Sequence, residues 1–503
     1  MIRSLTQWIV RLGSWLSLVL VLSYCQSGSA LLAEKGAQLV DQHCSSCHLS
    51  VRPELLDRQT WLEQVLPAMA PKLGIGTTAS GEYYPETNAA LPFEEWLTLV
   101  DYFRQFAPDT LLPAQRVPVS NDYSLFAVKP APADSATALT LMVHLEKDRV
   151  YSAQATNTMV VQWDQDLNRV DSVRFPAPVV QLHVRSDSEM FATSIGTMRA
   201  QDQWAGSLIH RKGSNQTVLA RQMPRPIHTA SGDFNRDGRT DWLIAGFGHT
   251  QGGLYLTSQR ADGTYETRLL TAQPGATQIE VGDYNADGWP DAIVLFAHAN
   301  EGLWLLQNDR KGGFKSIPLL RFLPLAGSSS FQLVDLNKDG KLDLIYTSGD
   351  NSDYSRILKP YHGLYIYLNE GNFKFRKHWF YPINGATKVL AEDFDLDGDV
   401  DLATIAFFAD FQHHPQENFL YFKQTQPLHF EPYSLPVTTY GRWICMDAKD
   451  WDGDGDTDVV LGNFSKGFRN LPHVQPHWST KIPFIILENK TRNGVEKRAF
   501  LLQ

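Results

Sequence analysis

Five apolar runs recur along the second half of the chain: WLIAGF, AIVLFA, LIYTSG, LATIAFF and VVLGNF. Each follows a polar turn rich in aspartate and glycine, so each predicts a β-strand entered from a tight loop. The turns start at Asp233, Asp283, Asp335, Asp393 and Asp450, between 50 and 58 residues apart. Repeats of that period build propellers, solenoids or arrays. Two earlier segments keep the strand pattern without the aspartates. One starts at LTLMVHL with the turn Glu146-Lys147-Asp148, the other at VVQLHV with Arg185-Ser186-Asp187. At the mean spacing, residues 121–503 hold about seven units, each predicted to be a four-stranded blade.

The pattern changes upstream. Residues 34–42 read as a short helix, and residues 92–107 as an amphipathic one with Trp96, Leu99, Val100 and Phe103 on one face. Residues 113–120 contain Pro113 and Pro118 and read as a semi-stiff linker. The fold class expected is therefore multidomain: a small all-α domain at 31–112, then an all-β propeller, most simply seven-bladed, at 121–503.

The repeated loop is legible as chemistry. Its consensus is Asp-x-Asn/Asp-x-Asp-Gly-x-x-Asp. Positions 1, 3 and 5 present hard oxygen ligands, glycine at position 6 permits a sharp turn, and the position 7 carbonyl and position 9 aspartate complete a cage suited to Ca²⁺. An EF-hand needs Glu at position 12. Here Ile244, Val294, Tyr346, Thr404 and Leu461 stand there. The loops resemble the FG-GAP/VCBS repeats of integrin-type propellers, where they join the first two strands of a blade. That resemblance implies calcium, about five ions in all, at Asp233, Asn235, Asp237 and Asp241; at Asp283, Asn285, Asp287 and Asp291; at Asp335, Asn337, Asp339 and Asp343; at Asp393, Asp395, Asp397 and Asp401; and at Asp450, Asp452, Asp454 and Asp458.

Charge changes its meaning in this light. The formal net charge is −10, yet the five loops hold 19 of the 55 acidic residues. Acidity here reports metal loops, and the absence of a basic cluster argues against a nucleic-acid partner.

Residues 1–25 read as an export signal. Arg3 and Arg11 precede a short apolar run at 12–22, too short for a membrane span. The end of this segment resembles a bacterial lipoprotein signal, which implies lipidation of Cys25; cleavage after Ala30 is the rival. Either way the expected location is the bacterial periplasm or cell envelope. Of the other cysteines, Cys445 sits among apolar neighbours and reads as a buried thiol.

Cys44-Ser45-Ser46-Cys47-His48 is the c-type haem attachment pattern, with Cys44 and Cys47 bonding the vinyl groups and His48 an axial iron ligand. A redox-active cysteine pair and half a zinc site are the alternatives. The first lacks a thioredoxin-like context, the second a further ligand pair. Met69 is the one methionine between 49 and 120, a stretch without histidine, and is the expected second axial ligand. Residues 31–112 resemble the small c-type cytochromes found fused to such propellers.

In a propeller of this kind the loops joining second and third strands lie opposite the calcium loops. They carry His249, His298, His362, His413, His414, His473 and His477. Ligand sites favour loops on a rigid scaffold. The leading expectation is an exported haem c electron-transfer protein whose propeller docks a redox partner, or binds a carbohydrate or small molecule on the histidine-bearing face. The alternatives are a quinoprotein-like dehydrogenase with His249, His298 or His413 as general base, and an adhesion module.

Overall fold

The computed structural model describes residues 28–121, 124–199, 201–352, 355–466 and 477–492. The export signal, Cys25 and His473 lie outside the described residues. The chain divides at Leu112/Pro113 into two compact units.

The first unit opens with α1, residues 28–43, and closes with α2, Phe93–Phe106. Trp96, Leu99, Val100, Tyr102 and Phe103 of α2 are buried, as their spacing requires. Glu94 and Glu95 open α2 and Arg104 closes it, both favourable against the helix dipole. α1 meets α2 at Gly36, where a Cβ would stand 2.3 Å from the Tyr102 ring. Trp61 lies against Phe103, centroids 4.4 Å apart, and its indole donates to Pro53 O at 2.8 Å.

The expectation of a small all-α cytochrome c domain followed by an all-β propeller is corrected here. The described residues contain no separate all-α domain. Between the two helices, after a turn at Pro53–Leu55, the chain makes one unbroken helical stretch of changing pitch through Arg58–Thr60, Trp61–Val65, Leu66–Met69 and Ala70–Leu73. Pro67 and Pro71 each lack the N–H a continuing helix needs, and Gly74, at φ +72°, ends the last turn. The chain then forms an antiparallel hairpin, β1 (Ile75–Thr77) paired with β2 (Tyr83–Pro85). The protein is nearly all β, and its mass is a seven-bladed propeller.

Blade 1 runs from Thr140–Glu146 to Arg169–Arg174, blade 2 from Val179–Ser186 to Asn215–Met223, and blade 3 from Pro226–Gly232 to Tyr265–Thr271. Blade 4 runs from Ala276–Gly282 to Phe314–Arg321, blade 5 from Ser328–Val334 to Phe375–Pro382, and blade 6 from Ala386–Glu392 to His429–Ser434. In blades 3 to 7 the second strands, Asp241–Gly246, Asp291–Phe296, Asp343–Ser348, Asp401–Ala406 and Asp458–Asn463, are buried at every residue. They are the recurrent apolar runs, covered on both faces by neighbouring blades.

Blade 7 is made from both ends of the propeller. Trp443–Lys449, Asp458–Asn463 and Phe484–Asn489 supply three strands, and Phe126–Pro130 supplies the fourth, pairing Phe126 with Asn489 and Pro130 with Ile485. Just upstream, Ser120–Asn121 adds a parallel fifth strand to blade 6. The segment expected as a linker is laid along the same sheets. Arg116 pairs with buried Glu417 at 3.1 Å, and Tyr381 donates to Val117 O at 3.2 Å.

Every first strand carries a bulge at its second residue: Leu141, Val180, Ile227, Thr277, Ser329, Thr387 and Ile444 are skipped in the pairing with the second strand. A bulge re-aims the residues after it.

Candidate functional sites

The five loops fold alike. In blade 3, Asp233 accepts from Asp237 N at 3.0 Å and Gly238 N at 2.9 Å, Asn235 accepts from Asp237 N at 2.9 Å, and Asp237 accepts from Arg239 N at 2.9 Å. Asp283, Asn285 and Asp287 repeat these bonds in blade 4, as do Asp335, Asn337 and Asp339 in blade 5. In blades 6 and 7 the carboxylate oxygens of Asp393, Asp395 and Asp397, and of Asp450, Asp452 and Asp454, gather within 4.8 Å of one another. The sixth position is left-handed glycine throughout, φ between +80° and +93°. The fourth is left-handed too, at Arg236, Ala286, Lys338, Leu396 and Gly453, with φ from +56° to +79°. Four of those five residues carry a side chain in a conformation that costs about 1–2 kcal/mol without a compensating gain.

The ninth-position aspartates, Asp241, Asp291, Asp343, Asp401 and Asp458, are fully buried. Each accepts a hydrogen bond that ties the loop to its blade. Asp291 accepts from Tyr284 N at 3.2 Å and from Asn308 N at 2.7 Å; Asp458 accepts from Trp451 N at 3.0 Å and from Asn489 N at 2.8 Å. Burial pushes all five carboxyls up, and Asp401 and Asp458 reach about 7. Cationic side chains stand beside the loops: Arg310 pairs with Asp287 at 2.7 Å, and Lys423 with Asp395. Converging side-chain oxygens, a backed turn and an anionic interior are the donor set a hard divalent cation takes.

The opposite loops place the histidines differently. His249 stands in the blade 3 loop, its amide donating to Gln251 O at 3.2 Å. His298, in the blade 4 loop, meets the Phe247 ring at 4.5 Å. His413, in blade 6, is exposed and shares its Nδ1 with buried Asp410 at 3.0 Å. His362 is fully buried, and burial holds it well below the usual histidine range. His414 is half-buried and His477 exposed. The three candidate bases thus belong to three blades and three surroundings.

A second polar constellation was missed by the sequence reading. The first strands, bent by their bulges, turn half-exposed polar side chains toward the propeller axis. Gln181, His183, His228, Gln278, Glu280, Gln332, Lys388 and Asp447 come from six blades, and His144 from the seventh. His144 lies between Asp447 at 3.0 Å and Glu146 at 3.2 Å. Burial drags His144 down, but its bond and charge contact with Asp447, and then Glu146, more than offset this and hold it above 6.5. Burial pulls His183 to about 4 and His228 to about 3, and lifts Glu280 to about 8. The available signal was the polar residue inside apolar strands at a fixed register: VHL, LHV, IHT, QIEV, TKVL, CMDA.

In the first unit, Cys44 is half-buried at the foot of α1 and Cys47 is exposed; both are free thiols. Burial, with Cys47 beside it, raises the Cys44 thiol to about 11. His48 Nδ1 lies 2.8 Å from Leu49 O. A carbonyl only accepts, so Nδ1 is the donor here, and in the neutral ring Nε2 is the nitrogen left to ligate a metal. Met69 ends the Leu66–Met69 turn, half-buried.

With this geometry established, the likenesses to known proteins fall into place. The profile of the FG-GAP-like repeat matches residues 233–294 and 283–346. The chain therefore carries FG-GAP-like repeats within a seven-bladed β-propeller. A T-cell immunomodulatory protein homolog from Plasmodium yoelii yoelii is 30% identical over 138 residues, which is 24% of this chain and 18% of that protein. The chain thus spans less than a fifth of that relative's length. The N-terminal domain of Nup159 is 11% identical over 75% of this chain and 100% of its own, with a TM-score of 0.43. The WD40 domain of Neurospora crassa Pan2 is 11% identical over 68% of this chain and 94% of its own, with a TM-score of 0.42.

Proposed function

We propose that this is an exported haem c electron-transfer protein whose calcium-stabilised propeller is a docking platform. The propeller and its repeats support the platform: seven rigid blades present variable loops on one face. The observation that carries the redox half is the Cys44-Ser45-Ser46-Cys47-His48 run, with both thiols free and the His48 tautomer leaving Nε2 available for iron. Cys44 and Cys47 would hold a haem c covalently, with His48 and Met69 as axial ligands. Such a group, when bound, supplies one-electron chemistry at iron. The chain's own part is to fix the His48 ring through Leu49 O and to present a surface where a redox partner docks. The five aspartate loops would hold calcium and so keep the blades' inner turns from repelling themselves open.

The export signal, a lipid anchor at Cys25 and a periplasmic setting belong to the same reading. The test is to produce residues 26–503 in a host with c-type haem maturation, measure haem and calcium per chain, and record the visible spectrum before and after chemical reduction. A chain that carries no covalent haem under those conditions sinks the redox half and leaves the platform.

One observation favours a second reading. Asp410 orients exposed His413 at 3.0 Å, the arrangement of a general base. A dehydrogenase would then pass electrons from a sugar or alcohol to the haem. Reduction of the haem by such a substrate alone, lost in His413→Ala, would decide for it.

A further inference from the structure

A cleft of about 540 Å³ opens on blade 1 beside the chain that crosses from blade 7, with Asn157, Met159, Arg169 and Asp171 on the blade 1 side and Asp134 and Pro483 opposite. The cause is the closure of the ring. Blade 7 takes its outer strand from Phe126–Pro130, and the chain must then cross back to the innermost strand of blade 1. On the way it is pinned to the end of blade 7: Ala131 N donates to Phe484 O at 3.1 Å, Asp134 N to Lys481 O at 2.9 Å, and Ala138 N to Thr480 O at 2.8 Å. This crossing stands as one wall of the cleft and holds it apart.

The floor is rigid. Trp163 is buried, packs on Phe484 at 5.2 Å and donates to buried Ser152 Oγ at 2.9 Å. Gln154 is clamped at both ends, accepting from Leu139 N at 2.7 Å and donating to Thr140 Oγ1 at 2.9 Å. The rim keeps unused capacity. Arg169 lies 4.9 Å above the Trp163 ring and reaches Asp134, both partly exposed. Asp171 spends one oxygen on Ser172 N at 2.7 Å, and Asn157 spends its carbonyl on Met159 N at 3.0 Å. A carboxylate, a guanidinium and an amide therefore face a floor of Met159, Val161 and Pro483.

We infer that this cleft binds a neutral saccharide. A pyranose needs partners that donate and accept at neighbouring positions, and the second Asp171 oxygen, the Asn157 side-chain NH₂ and the Arg169 N–H groups not spent on Asp134 supply both. Its C–H face suits the methionine, valine and proline floor. The volume falls within the about 300–1,000 Å³ typical of small-ligand sites. A lone anion is disfavoured by two carboxylates on the rim, and a purely apolar ligand would cover Asp171 without giving it a partner. The cleft is separate from the histidine-bearing loops, so this goes beyond the docking reading and does not depend on the haem.

The experiment is calorimetric titration of the calcium-loaded full chain with maltose, cellobiose, lactose and chitobiose. At least one should bind. Asp171→Ala and Asn157→Ala should each weaken it about tenfold, and Ser172→Trp, which fills the cleft, should abolish it. Thermal unfolding checks that each variant remains folded. Failure of all four sugars to bind overturns the inference. So does binding that survives Asp171→Ala and Ser172→Trp in folded protein. Binding lost only in His413→Ala would also overturn it, moving the sugar to the loop face and leaving the platform reading intact.

Discussion

Asn308, in the third strand of blade 4, donates its side-chain amide to the main-chain carbonyl of Phe234 in the blade 3 loop, at 2.8 Å. The same nitrogen reaches Pro290 O at 3.1 Å, and Asn308 Oδ1 accepts from Arg310 N at 2.8 Å. Asn489 repeats the arrangement three blades further round the ring, donating to Phe394 O at 2.8 Å and to Thr457 O at 3.1 Å. One amide thus staples an aspartate loop to the next blade.

Asn308→Ala removes that staple and strands two carbonyls in a site that is 4% exposed. The expected cost is about 1–3 kcal/mol in denaturant unfolding. Leucine, nearly isosteric but without the amide, should cost as much. A loss below about 0.5 kcal/mol for both would show that the carbonyls find other partners.

Removing calcium should lower the melting temperature, because nineteen carboxylates crowd five loops that also hold left-handed residues. Elemental analysis should find about five calcium ions per chain. Asp458→Ala, which removes a fully buried carboxylate from the proposed site, should destabilise the protein with calcium present and narrow the gap between its melting points with and without chelator. An unchanged melting curve in chelator, with no calcium detected, would refute the assignment.

His144 makes the ring closure sensitive to pH. Its folded pKa stands above 6.5, held by Asp447 first and Glu146 second against burial and the nearby His183. A raised folded pKa means the contribution is fully present below about 6.5 and is lost as pH rises through the folded value. Melting temperature measured from pH 5.5 to 8.5 should fall more steeply in the parent than in His144→Gln. Parallel curves would mean that the Asp447 contact contributes nothing to stability.

Gly36→Ala should unfold the first unit selectively. Its Cβ would meet the Tyr102 ring at 2.3 Å, where α1 crosses α2. The overpacking should cost about 1–3 kcal/mol. Loss of the first unit's helical signal below the propeller's own transition is the expected result. Tyr102→Ala in the same chain should restore part of the loss.

The repeat was readable because its determinants are local. Asp233-x-Asn235-x-Asp237-Gly238 specifies a turn within nine residues, and the apolar run after it specifies a strand covered on both sides. Period and chain length then gave seven blades. The first unit was read less well. Residues 92–107 announced α2 by their apolar spacing, but an all-α domain was inferred around a haem motif. Pro67 and Pro71 instead change the pitch of the middle helical stretch, Gly74 ends it, and the β1–β2 hairpin follows.

The loops and strands follow from side chains within a few residues of one another, and the number of blades from the period at which they recur, so all three are legible in the chain. How the ring closes depends on contacts that the pattern does not specify. Phe126–Pro130 finds its partner at Phe484–Asn489, more than 350 residues away, through main-chain hydrogen bonds that every residue but proline can make. Side-chain pattern marks a segment as a strand and is silent on which edge it joins. The same silence covered the axial polar cluster and the cleft, since both exist only where the two ends of the propeller are brought into one blade and seven first strands face a common axis.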